Sequence, residues 1–253
     1  GDICAVTVFH SGMAGIGLAS SFSYYCALFI LVMHFVKKKG NIRIGFGNIR
    51  FNRSGEIFGS GIPAALQKIL RTLLSLTINH IVLFYSGDAA LGIFTVINSI
   101  INLFNSVGQG MGAATLLLTG VFFAEEDKDS IKRVVRSFLK NSVVINLIMM
   151  VIVCVMADPL IHLFTKQGEV DIHLAAVGLR IAVVDFLFFS IANCFKNFYQ
   201  GTKKQLLTYA ITVLEAFLFS ALAALPLTMA FGVYGVCSVY AVGDLLTIIA
   251  IYI

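Results

Sequence analysis

The chain has 253 residues, of which 58% are hydrophobic and 12% charged, with a formal net charge of +5 and a mean hydropathy of +0.93. A water-soluble domain carries about twice that share of charge, so these values exclude a soluble enzyme or nucleic-acid-binding module. The strand alternation of a membrane barrel is also absent, which leaves an all-α integral membrane protein.

A membrane-spanning helix takes about 20 predominantly apolar residues, and the apolar runs predict seven such spans in chain order. The first, 12–36, opens with GMAGIGLASS. Residue 1 is Gly and no basic leader precedes the first apolar run, so the chain reads as if it begins inside a longer protein. Residues 37–60 form a basic, Gly-rich linker, and a short basic surface segment there would suit the cytoplasmic face of a bilayer. Span two covers 61–85 and ends in the turn SGDA. Span three covers 90–122 and contains Gly108, Gly110 and Gly112; so long a span either tilts, bends at these glycines, or runs on as helix into the cytoplasm. The acidic loop EEDKD follows, then span four at 138–157, span five at 173–196 and span six at 206–228. A last loop is expected around Pro226. FGVYGVCSVYA then opens span seven, 232–253.

Lys and Arg fix the expected orientation. Counted loop by loop they run 6, 0, 5, 1, 3, 0, which places 14 of the 18 basic residues on one side. By the positive-inside rule that side is the cytoplasm. The first span then runs inward and the C-terminus is cytoplasmic. The net positive charge reports topology, plus contact with anionic lipid, and gives no case for nucleic acid. Residues 196, 203 and 204 are the three lysines counted in the fifth loop.

Spans one and seven are separated by an even number of crossings, so their Gly-x-x-Gly segments, at Gly12 and Gly232, point the same way. Parallel repeats of this kind arise in transporters built from two like halves. On this reading residues 1–36 end an N-terminal bundle, 37–60 is the linker, and 61–253 is a C-terminal six-helix bundle. The rest of the first bundle is expected in the same full-length chain.

Four stretches carry a family resemblance. They are GIPAALQKILRTLLSLTINHIVLFYSGDAAL from Gly61, FYQGTKKQ at 198–205, and the two Gly-x-x-Gly openings. In order and spacing they resemble the MATE (multidrug and toxic compound extrusion) family, and the resemblance covers nearly the whole chain. It implies a twelve-helix secondary transporter of two bundles that exports small organic solutes, cationic or amphipathic, from the cytoplasm across the cell membrane by Na⁺ or H⁺ antiport, with no other cofactor. Lipid-linked oligosaccharide flippases of the same superfamily are the alternative, and a non-transporting membrane fragment is the third reading. One departure stands out. Many multidrug members carry a glutamate ten residues after the Gly of Gly-x-Pro, where this chain has Arg71. Their tenth-helix aspartate aligns with Phe189, and Asp185 lies one turn earlier.

Intramembrane charge is the strongest functional signal in the residues themselves. A charged side chain at the bilayer centre costs about 2.5–3.5 kcal/mol on insertion scales, so it persists where it has a partner or a cavity. The ion-coupling candidates are Asp185, Glu215 and Arg71, with pairing of Asp185 to Arg71 or Arg180 expected. Glu215, in an otherwise apolar helix, reads as a lone proton carrier. Polar stripes are the second signal. Gln67, Arg71, Ser75 and Asn79 step by four along span two. Thr95, Asn98, Asn102, Asn105 and Gln109 follow helical spacing along span three, and Asn193 with Asn197 make a shorter version in span five. Lipid-facing amides would be unsatisfied, so these faces are expected to line a wet substrate cavity.

The remaining motifs carry little. SVGQGMG at 106–112 lacks the Lys-Ser/Thr and the strand of a phosphate loop, and no enzyme signature is present. The five cysteines, Cys4, Cys26, Cys154, Cys194 and Cys237, show neither metal-ligand spacing nor a disulfide framework, and no metal site is expected.

Overall fold

The computed structural model describes residues 12–36, 54–164 and 171–252. The chain divides into two compact units, Gly1–Ser54 and Gly55–Ile253. The first contributes one helix, α1 (Gly12–Val36), whose described side chains, such as Phe22, Tyr25 and Phe29, are all exposed. Most of the expected linker lies outside the described residues. Its end does not, because helix already begins at Ser54.

The second unit is helical throughout its described residues apart from short turns. Its first element, α2, runs Ser54–Ala124. Next come α3 (Lys128–Val155), α4 (Ala157–Phe164), α5 (Ile172–Ala182) and α6 (Asp185–Gly201). Then α7 (Gln205–Val213) passes through a π-helical segment, Leu214–Leu218, into α8 (Phe219–Tyr252). Among the described residues, four continuous stretches are long and apolar enough to cross a membrane by length and composition: Gly61–Ala124, Lys128–Val155, Ile172–Gly201 and Gln205–Tyr252.

Two of these stretches turn back on themselves, each at a glycine. Gly87 has φ 80° and ψ −180°, a region that only glycine occupies without strain. Arg71 and Gln109 would stand about 57 Å apart along an unbroken helix. Both line one cavity, so the chain reverses between them. Gly232 does the same in α8, with φ 56° and ψ −131°. Beyond it, Gly243 lies so close to Ser220 that a Cβ there would stand 2.9 Å from the Ser220 backbone nitrogen.

The structure decides between the alternatives for span three and changes one expectation, the loop at Pro226. The backbone stays helical through Gly108, Gly110 and Gly112. Gly108 and Gly112 instead let α6 approach, because a Cβ at Gly108 would stand 3.1 Å from the Ser190 Oγ and one at Gly112 would overlap the Asn193 amide. The loop expected around Pro226 is helix, since a proline ring can be carried where neighbouring helices satisfy the freed carbonyl, and the reversal waits for Gly232.

Two apolar clusters hold the unit together. One joins Ile97, Ile100, Val153, Ile161, Leu179 and Phe186. The other joins Leu74, Ile78, Val82, Phe94, Val236 and Val239. The outer surface is equally apolar: Phe84, Val155, Leu163, Leu206 and Phe231 are all more than half exposed. So much exposed hydrocarbon is untenable in water and fits a bilayer. At the polar ends, Asp127 caps α3 by accepting the backbone N–H groups of Asp129 and Ser130. The Ser130 hydroxyl, and then its N–H, hold the Asp127 carboxyl below the usual carboxylate range.

Candidate functional site

Each of two carboxylates sits on a break in helical regularity. Val183 and Val184 interrupt the run from α5 to α6, and Asp185 is the first residue of α6. That position places its charge at the positive end of a helix dipole. Glu215 lies in the π-helical segment, an irregularity common at functional sites. Asp244 lies on α8 beyond Gly232. All three are buried, at 4%, 1% and 3% exposure, and each is near the middle of its helical stretch.

Glu215 is the hub. One oxygen accepts from Arg71 Nη2 at 2.8 Å and the other from Lys196 Nζ at 3.0 Å. The Gln67 amide approaches the first oxygen at 3.4 Å. Arg71 also lies over the Phe189 ring, 5.0 Å from its centroid, so the ring at the position aligned with the family's aspartate supports a cation. The expectation of Glu215 as an isolated proton carrier is thus replaced by a carboxylate held between two cations. Lys196 was expected in a cytoplasmic loop. It is buried in α6, which leaves Lys203 and Lys204 as the basic residues of that turn.

Asp185 has different partners from those expected. Its Oδ2 accepts from the Asn105 amide at 2.9 Å. Its Oδ1 is buried without a hydrogen-bond donor among the described residues. The Asp244 carboxyl lies within electrostatic reach of Asp185, Glu215, Arg71 and Lys196. Two carboxyl groups can bond only through a proton carried by one of them. Arg180 does not join this group. It donates to Asp158 Oδ2 at 2.7 Å and to the Cys154 carbonyl at 3.3 Å, where both side chains are substantially exposed.

Two cavities flank Arg71. The larger, about 350 Å³, is lined by Ser75, Asn98, Asn102, Asn105, Gln109 and Asp185, together with Lys68, Arg71 and Tyr240. The smaller, about 250 Å³, is lined by Gln67, Lys68, Arg71, Gln109, Asn193, Lys196 and Asn197, with Phe189 and Thr212 among the rest. The polar stripes therefore face these cavities, with two exceptions. Thr95 turns its hydroxyl to the Leu91 carbonyl, and Asn79 lines neither cavity. Asn193 donates to the Gly108 carbonyl at 3.0 Å and Asn197 to Asn193, which ties α6 to the second part of α2. Gln67, Arg71, Asn105, Gln109, Asn193, Asp185 and Glu215 form one connected region. Asp244, an intramembrane charge of span seven that the sequence ranks below the others, belongs to it too, and Lys196 belongs to it without having been singled out for the site. Lys196 shares a face with Asn193, Asn197 and Gln200 at helical spacing, and that stripe was the signal for it.

The MatE family model matches residues 63–238. Among solved structures the chain is similar to a multidrug resistance MATE family transporter of the MOP superfamily in an outward-facing conformation. That likeness has a TM-score of 0.87 at 19% identity and covers 98% of this chain and 56% of that one. It is similar to MATE in complex with MaL6, with a TM-score of 0.88 at 19% identity and the same coverage. A third likeness is to a MOP superfamily transporter from Pyrococcus furiosus, described as having a binding pocket of reverse polarity that suggests a different function. There the TM-score is 0.86 at 18% identity, with 98% and 56% covered. At such identities the likeness is one of fold, and the chain spans a little over half the length of these solved chains. No curated protein matches the chain.

Proposed function

The chain belongs to the MatE family, and from that premise we propose that it forms part of a secondary active transporter that exports organic solutes by cation antiport. The observation that carries this reading is the constellation of Asp185, Asp244, Glu215 and Lys196, all buried, with the partly exposed Arg71, next to two polar cavities. Charge is retained at that depth when it serves a pathway, and broken helices beside a cavity are a recurring way to build a transport site.

The coupling ion we assign is the proton. Asp185 and Asp244 are buried within electrostatic reach of each other, and Asp185 Oδ1 has no donor among the described residues. A proton between them completes the pair. Its loss leaves two like charges near each other, with Arg71 within electrostatic reach of both. Arg71 is already shared with Glu215, so a change in protonation redistributes ion pairs between three elements: α2, α6 and α8. Such redistribution biases one of two packed arrangements, as alternating access requires. The second wall of the pathway would come from the part of the full-length protein beyond this bundle.

The test is flux in proteoliposomes containing the full-length protein and an imposed gradient. Asp185→Asn mimics permanent protonation. It is expected to abolish pH-gradient-driven efflux while leaving a folded, monodisperse protein. Efflux that persists in both Asp185→Asn and Asp244→Asn, or that follows a Na⁺ gradient at zero pH difference, would overturn proton coupling at this pair.

A further inference from the structure

We propose that the smaller cavity is an anion-binding site, which takes a carboxylate or phosphate group of the transported solute between Lys68, Arg71 and Lys196. This rests on the transport reading for its purpose and on the cavity's own lining for its chemistry.

The lining contains three cations and no carboxylate. The other polar groups include amides from Gln67, Gln109 and Asn193, whose NH₂ groups can donate to an anion; the Thr212 hydroxyl is committed to the Thr208 carbonyl. The only acid bonded to these cations, Glu215, has a side chain 0% exposed, with one oxygen turned to each partner. It neutralises a single charge and presents no surface to a solute. Lys68 forms no ion pair among the described residues and is exposed. The Arg71 side chain keeps 31% exposure despite its bond to Glu215, and a guanidinium fork matches the two oxygens of a carboxylate or phosphate.

Shape agrees with charge. A volume of about 250 Å³ suits an anionic group and little more, since pockets for whole drug-sized ligands run from about 300 to 1,000 Å³. Lys68, Arg71 and Gln109 line both cavities, so the rest of a solute can extend into the larger one, among Ser75, Asn98 and Asn102. This polarity reverses the expectation of a cationic solute. A lone cationic drug would face three cationic side chains, only one of whose charges Glu215 offsets, in the smaller cavity.

Equilibrium binding to the purified full-length protein tests this without any gradient. The probes are inorganic phosphate, glutarate, phosphatidylglycerol vesicles, and tetraphenylphosphonium as the cation control. The expected result is saturable binding of at least one anionic probe, weakened at least about tenfold by Lys68→Gln, in line with the loss of a charge-assisted hydrogen bond, and retained by Lys68→Arg. Binding of phosphate or glutarate assigns the anion to a soluble solute. Binding of the phosphatidylglycerol vesicles alone, with the same Lys68 dependence, assigns it to a lipid headgroup. The proposal is overturned if no anionic probe binds saturably, if Lys68→Gln binds as the parent does, or if tetraphenylphosphonium competes for the same site. Because Lys68 is exposed and unpaired, its variants should fold. Anion binding that survives while driven flux is absent would sink the transport reading and leave this one standing.

Discussion

At the scale of residues, the site rests on one buried carboxylate that serves a buried lysine and a partly exposed arginine. Removing a single partner from such a network leaves an uncompensated charge away from water, which costs about 3–5 kcal/mol, whereas removing oppositely charged partners together is often far milder. Glu215→Gln is therefore expected to lower the melting temperature of the detergent-solubilised protein sharply. The double variant Glu215→Gln with Lys196→Met should recover much of the loss, because one cation leaves with the acid and Arg71 keeps Phe189 beneath it. Size-exclusion profiles after a temperature ramp would measure both. Equal melting in parent and single variant would mean that water or lipid reaches Glu215. The contrast with the sequence is instructive. Glu215, Arg71 and Asp185 are visible there because charge is rare in apolar runs. Their partners are not visible, because pairing depends on which faces meet. Arg180 lies close to Asp185 in sequence yet bonds Asp158, while Lys196, grouped by proximity with Lys203 and Lys204, turns inward.

At the scale of elements, apolar run length locates the helices well, since hydrocarbon thickness dictates it. The irregularities between and within them are harder to read. A π-helical segment leaves composition and spacing almost unchanged, so nothing in Leu214–Leu218 announces it. Glycines are ambiguous for a similar reason. Gly87 and Gly232 turn the chain, Gly108 and Gly112 admit a neighbouring helix, and Gly110 has open space around it, yet all are the same letter. Their roles predict different tolerances. A Cβ at Gly235 would overlap the Leu227 carbonyl, and backbone packed at the reversal around Gly232 cannot withdraw as a side chain can. Gly235→Ala should therefore reduce the yield of folded protein and its melting temperature, by an amount comparable to the about 1–3 kcal/mol of other overpacking changes. Gly110→Ala should be neutral or slightly stabilising, because alanine is the better helix former by about 0.8–1.0 kcal/mol. A folded-protein assay that ranks the two variants the other way would refute this account of the Gly232 reversal.

At the scale of the whole molecule, the orientation expected from the basic loops becomes a definite prediction. Asp88 is exposed beside the Gly87 reversal, and Glu125 is exposed in the turn between α2 and α3. The basic residues that follow, Lys128, Lys132, Arg133, Arg136 and Lys140, crowd the second of these turns, and no Lys or Arg lies in the first. Moving Lys196 into the core takes one charge from the fifth loop but leaves Lys203 and Lys204 there, so the alternation that sets topology survives. In a variant with its five cysteines replaced, Asp88→Cys is expected to react with a membrane-impermeant maleimide on intact cells, and Glu125→Cys only after permeabilisation. The reverse pattern would turn the bundle over. It would place the Asp185 pair in contact with the opposite compartment in any given state, and the proposed proton would then have to enter where it is here taken to leave.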